Sequence, residues 1–111
     1  MGYYTNHDIT LIKKEENLTD QQVKECENAI REIAVDVSED FDKDDPEAPL
    51  CFQAKWYDRQ ADLEELSTKH PGIIIQVDCE GEDGELWRER YLNGDAEMHD
   101  AIITYPEFDI Q

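Results

Sequence analysis

The sequence predicts a single α+β domain over residues 1–111, folded as a two-layer sandwich with both helices on one face of a mixed sheet. Three observations carry that reading: a helix start signal with an apolar stripe behind it at 19–37, several period-2 runs of β-branched and aromatic residues, and an Asn93-Gly94 dipeptide between the last two runs. A length of 111 residues suits one core, and 39% hydrophobic content is lean but sufficient to fill it.

Residues 3–12 put Tyr3, Thr5, His7, Ile9 and Leu11 on one alternation and Tyr4, Asn6, Asp8, Thr10 and Ile12 on the other, a strand-like composition. A helix begins at Thr19, because Gln22 completes a capping box and Leu18 with Val23 forms a hydrophobic staple. Val23, Cys26, Ile30, Ile33 and Val37 then form one stripe, with Lys24, Glu25, Glu27, Asn28, Arg31 and Glu32 facing away. The same stepping fits a coiled-coil seam but is too short to sustain one. An acidic loop fills 36–49, with Pro46 and Pro49 at its exit.

Leu50, Phe52, Ala54 and Trp56 alternate with Cys51, Gln53, Lys55 and Tyr57, the pattern of a half-buried strand. Asp58 is placed to cap a short helix running to Lys69, with Leu63 and Leu66 inward and Pro71-Gly72 as its stop. Ile73 to Cys79 reads as a central strand, buried on both faces at its start. Gly81 to Gly84 is a turn, and Asn93-Gly94 is a type I′ hairpin turn between 85–92 and 95–105. That turn pairs Tyr91 with Ala96, puts Trp87, Tyr91, Ala96 and Met98 on one face, and sets Arg90 opposite Glu97. Pro106 ends the last strand, and the tail 107–111 is expected to fray. The resulting order, βαβαβββ with two strand-helix-strand crossovers and a terminal meander, predicts a ferredoxin-like arrangement.

Charge is the outlying property. Twenty-nine acids against ten Lys and Arg leave a net charge of −19. Such a domain is repelled by phosphate backbones and anionic lipid, so direct nucleic-acid or membrane binding is disfavoured and basic partners remain. No apolar run is long enough to span a bilayer, and Met1 to His7 matches neither a secretory signal nor the myristoylation pattern, so a cytoplasmic location is expected. Cys26, Cys51 and Cys79 include no Cys-x-x-Cys pair; reduced thiols at apolar positions are the expected state.

Chemistry-bearing patterns fall short of a reaction. Asp40, Asp42 and Asp44 begin like a calcium loop, but Asp45 stands where glycine is needed and Cys51 where a bidentate Glu belongs. His7, His70 and His99 lack a second ligand at metal spacing, and Ser38 and Ser67 lack a nucleophile-elbow context. No catalytic residue, cofactor or metal is expected, and the chain does not read as an enzyme.

The surface field remains. On about 6,000 Å² of expected surface the average charge density falls well below that of duplex DNA. Clustering can raise it locally. Asp40, Asp42, Asp44 and Asp45 in the loop, Glu80, Glu82, Asp83 and Glu85 around the glycine turn, and Glu64 and Glu65 on the second helix are the candidate phosphate surrogates. Converging on one side, they would fit the basic groove of a nucleic-acid-binding protein. The alternative is a small structural or regulatory interaction domain, a homodimer among its forms, whose acidity serves solubility only.

Residues 55–71, with Lys55-Trp56-Tyr57-Asp58-Arg59, Asp62-Leu63, Leu66-Ser67 and Lys69-His70-Pro71, are followed by Glu80-Gly81-Glu82-Asp83-Gly84-Glu85-Leu86-Trp87 and Tyr91-Leu92-Asn93-Gly94. This succession resembles small uncharacterised proteins carried by phages and plasmids. The resemblance covers about 40 residues, leaves out the first 50, and assigns no catalytic residue. It implies a mobile-element origin and an anti-CRISPR or anti-restriction role against a host nucleic-acid-binding protein.

Overall fold

The structure, a computed structural model, describes residues 4–110; Tyr3 of the first expected strand and Gln111 of the expected tail lie outside the described residues. The elements are β1 (Thr5–Lys13), α1 (Asp20–Val37), β2 (Cys51–Ala54), α2 (Arg59–Lys69), β3 (Ile73–Gly81), β4 (Leu86–Leu92) and β5 (Asp95–Asp100). They build one α+β layer pair around a sheet of order β2-β1-β3-β4-β5, in which every neighbouring pair is antiparallel.

The sheet is therefore neither mixed nor ferredoxin-like, and the cause is the loop after α1. The helix starts beside Lys13, which pairs with Asp20 at 2.9 Å, and returns the chain to the Thr5 end of β1. A strand starting there would run parallel to β1. Instead, residues 38–50 travel the sheet edge a second time, from Ser38, whose hydroxyl donates to the Gln53 carbonyl at 2.8 Å, to Leu50, whose carbonyl accepts from Ile9 N at 2.8 Å. β2 thus enters from the far end and pairs antiparallel, with His7 opposite Phe52. α2 then carries the chain past β1 to β3 on its other side.

Alternation sorts the two faces. Thr5, His7 and Ile9 of β1, Phe52 and Ala54 of β2, Ile73, Ile75, Val77 and Cys79 of β3, and Glu89 and Tyr91 of β4 are all buried on one side. Cys26, Ile30 and Ala34 of α1 and Leu63 and Leu66 of α2 join the same apolar cluster, so both helices cover this face. The other face is open to solvent, as antiparallel sheets allow, and exposes Asn6, Asp8, Thr10, Glu80, Arg88, Arg90, Glu97 and His99. Cys51 goes with it: the alternation that buries Phe52 turns Cys51 outward beside Asp8, contrary to its expected apolar position.

Local signals explain the element ends. Thr19 Oγ1 accepts from Gln22 N at 3.1 Å and Gln22 Oε1 accepts from Thr19 N at 2.7 Å, the reciprocal box that starts α1. Asp58 precedes α2 without a side-chain capping bond, contrary to expectation; its carbonyl accepts from Asp62 N at 2.9 Å. Asn93 and Gly94 take φ of 51° and 91°, as a type I′ turn requires, and the hairpin register places Tyr91 opposite Ala96 and Arg90 opposite Glu97. The same turn docks onto the helix layer: Gly94 N donates to Ser67 Oγ at 2.8 Å, and Asn93 Oδ1 accepts from Gly72 N at 3.0 Å. β5 ends at Asp100, short of the expected Tyr105, because β4 begins at Leu86 and offers its last carbonyl to Ala101 N at 3.0 Å. Beyond that bond the chain has no ladder partner among the described residues.

Candidate functional site

The candidate acids divide into three placements. Asp40 is committed to the fold: its carboxylate accepts from the Ser38 hydroxyl and from Gln53 N at 3.3 Å, and with Ser38 it closes the outer edge of β2 against foreign strands. Asp42 and Asp45 each turn the loop by accepting from the backbone two residues on, Asp44 N at 3.0 Å and Glu47 N at 2.9 Å, while Asp44 is exposed. At the glycine turn, Glu82 accepts from Tyr4 N at 2.7 Å and Glu85 from Asp83 N at 3.0 Å. Glu64 and Glu65 do not converge with these. They sit on α2, across the sheet from the open face, and Glu65 pairs with Lys69 at 3.3 Å.

What does converge lies on the open face. Gln53, Asn6 and Glu80 are successive partners across β2, β1 and β3; Asp40 bonds the first, and Asn6 Nδ2 donates to Glu80 at 3.4 Å. The neighbouring row is Cys51, Asp8 and Asp78. Asp8 and Asp78 are directly opposed, which puts like charges on Cβ atoms about 5 Å apart. Arg88 grips Asp78 at 2.6 and 3.3 Å; no ion pair to Asp8 is present among the described residues. The Cys51 thiol is raised above its ordinary value by burial first, and then by Asp8 and Asp40 together. Asp40, Asp8, Asp78 and Glu80 thus form a ridge that runs up to the glycine turn. Asp8 and Asp78 are absent from the sequence-derived set, although the outward alternation of β1 already carried Asp8.

A second constellation is buried under α2. Glu89 lies on the inner face between Trp87 and Tyr91, 1% exposed, and accepts from Arg59 at 2.8 and 2.7 Å, from Trp87 Nε1 at 2.7 Å and from Tyr91 OH at 2.6 Å. Burial alone would raise its carboxyl, but the bonds from Arg59, Tyr91 and Trp87 outweigh that and hold it below the usual range. Arg59 Nη1 also donates to His7 Nε2 at 2.9 Å, which leaves the ring proton on Nδ1, facing the Phe52 carbonyl at 3.4 Å. Burial, then the Arg59 charge, lowers His7 to about 4, so the ring is neutral.

Burial, then Glu89, pushes Cys79 up to about 12, and the Tyr91 hydroxyl is raised for the same two reasons. With its acceptor positions filled, the Glu89 carboxylate has no free lone pair with which to take a proton; this network fastens the start of α2 to the sheet. Its sequence signal was a Glu at an inward position between two aromatics, while its partner stands thirty residues away.

The arrangement defines a two-layer α+β protein with one uncovered sheet face, on which Asp8, Asp78, Glu80 and Glu97 stand together with Arg88 and Arg90. Comparison of the chain with family models, with curated proteins and with solved structures returned no match. No helix among the described residues is long and apolar enough to cross a membrane.

Proposed function

We propose that the protein is a non-enzymatic acidic binding protein that presents its open sheet face to the cationic groove of a nucleic-acid-binding protein, in the manner of a counter-defence inhibitor from a mobile element. The observation that carries this reading is the opposed pair Asp8 and Asp78 at the centre of the Asp40–Glu80 ridge. Like charges directly across a ladder destabilise a sheet; Arg88 answers only Asp78, and a cation arriving from outside would answer Asp8, which has no ion-pair partner among the described residues.

Magnitudes narrow the mimic. The total surface is 7798 Å², larger than expected from length, so average density is lower still and only local clustering matters. Two strand spacings plus the flanking loop span about 15 Å. Over that distance a duplex carries about nine charges and a single strand about four. Four ridge acids less the Arg88 charge on Asp78 leave a net of three, a little below the single-strand figure and well short of the duplex. The loop acids Asp42, Asp44 and Asp45 follow Asp40 along the chain and the turn acids Glu82, Asp83 and Glu85 follow Glu80, so both groups add to the negative field around the ridge.

The test is competition with single-stranded and duplex DNA for purified basic nucleic-acid-binding proteins at low and moderate salt. Displacement that weakens steeply with salt and is lost in Asp8→Lys supports the proposal. Unchanged displacement by that variant removes the ridge as the contact. Asp42→Lys, Asp44→Lys and Asp45→Lys together decide in the same assay whether the loop takes part.

A further inference from the structure

Segment 101–110 leaves the sheet where β4 runs out, at the same end as the glycine turn. It exposes large apolar side chains in close succession: Ile102 at 89%, Ile103 at 63%, Tyr105 at 76%, Phe108 at 71% and Ile110 at 90%. The radius of gyration, 15.8 Å, exceeds the roughly 13 Å of a compact chain of this length, as expected when ten residues stand off the core. Isolated exposed apolar residues are ordinary, but a contiguous run of this kind marks an interaction site.

We infer that segment 101–110 is a docking strand for a partner protein that offers an apolar groove rimmed by Lys or Arg. Period-2 geometry supplies the argument. In an extended chain, Ile102, Thr104, Pro106, Phe108 and Ile110 share one side, while Ile103 and Tyr105 share the other with Glu107 and Asp109. The first side fits an apolar floor, and the two acids of the second, from residue 107 on, fit a cationic rim. The adjoining β5 carries Asp95, Glu97 and Asp100 and no Lys or Arg, so the strand next to the docking segment repels a second copy of this chain and attracts a basic one. This contact is separate from the Asp8 ridge and does not depend on it.

The test immobilises two decapeptides of equal charge, alternating Leu-Lys and alternating Ser-Lys, and measures binding of the full chain and of an Ile102→Ser, Phe108→Ser, Ile110→Ser variant. None of the three residues belongs to the core cluster, so the variant keeps the fold. The parent is expected to prefer the Leu-Lys peptide by at least about tenfold, and the variant to lose that preference while binding Ser-Lys as before. A preference retained by the variant overturns the inference. So does concentration-dependent self-association of the parent that the variant abolishes, because a second copy is then the occupant. Failure of the ridge reading shows separately, as undiminished Ser-Lys binding by Asp8→Lys, and leaves the Leu preference intact.

Discussion

Asp8 and Asp78 face each other across β1 and β3 on the uncovered side of the sheet, and only Asp78 has an ion-pair partner among the described residues, Arg88 at 2.6 Å. The pair links stability to the proposed function. Replacing Asp8 by Asn is expected to raise stability by about 0.5 kcal/mol, by removing a like-charge cross-strand pair, while lowering affinity for a cationic partner. Urea unfolding and binding measured on the same preparation check both signs; a loss of stability would show that Asp8 is held by something other than its charge.

Glu89→Gln leaves Arg59 buried against an amide and weakens the acceptor shared by Trp87 and Tyr91. A loss of about 3–5 kcal/mol is expected, since one half of a buried ion pair remains without its partner. Tyr91→Phe removes one bond to the carboxylate and should cost about 1–2 kcal/mol. Equal losses in the two variants would mean that the Arg59 pair adds nothing.

Acid should weaken the fold through His7. Its ordinary value of 6.5 holds in the unfolded chain, and the folded value is about 4. The unfolded state therefore binds the proton first, so the stabilisation is complete above about 6.5 and declines as pH falls from there toward about 4. The full shift corresponds to roughly 3 kcal/mol. His7→Gln, which retains an acceptor for Arg59, should flatten the stability profile in that window. A slope preserved in the variant assigns the acid sensitivity to other groups, Glu89 among them, whose lowered carboxyl loses its contribution only as pH drops through its own depressed range.

Gly94 sits at φ of 91°, and a Cβ there would meet Thr68 Cγ2 at 3.0 Å. Gly94→Ala should cost about 1–2 kcal/mol from the left-handed backbone alone. Because Gly94 N also holds Ser67 Oγ, loosening of the turn should appear as faster amide exchange at both the hairpin and the end of α2. Faster exchange confined to the hairpin would show that the turn does not anchor the helix.

Short-range rules made much of this molecule legible. The Thr19 box, the Asn93-Gly94 turn and the Tyr91–Ala96 register each depend on residues a few positions apart, and each is found in the structure. The inward position of Glu89 was equally visible as an alternation, although nothing local named Arg59 as its partner. The sheet topology was not legible. It turned on whether the acidic loop hung free or ran back along β2, and that was decided by Ser38 and Asp40 reaching the backbone of Gln53, well along the chain.

By itself, then, the sequence determined the order of the elements, the alternation of most strands and the sign of the surface field, because periodicity and net charge are properties of the chain in order; the end of β5 and the outward turn of Cys51 were not among them. Tertiary structure alone decided which strands became neighbours, and hence that Asp40, Asp8, Asp78 and Glu80 form a ridge while Glu64 and Glu65 stand apart on α2. The physical reason is that strand pairing sets carboxylates at ladder spacing that lie far apart in the chain, and no count of acids reveals which of them will share a face.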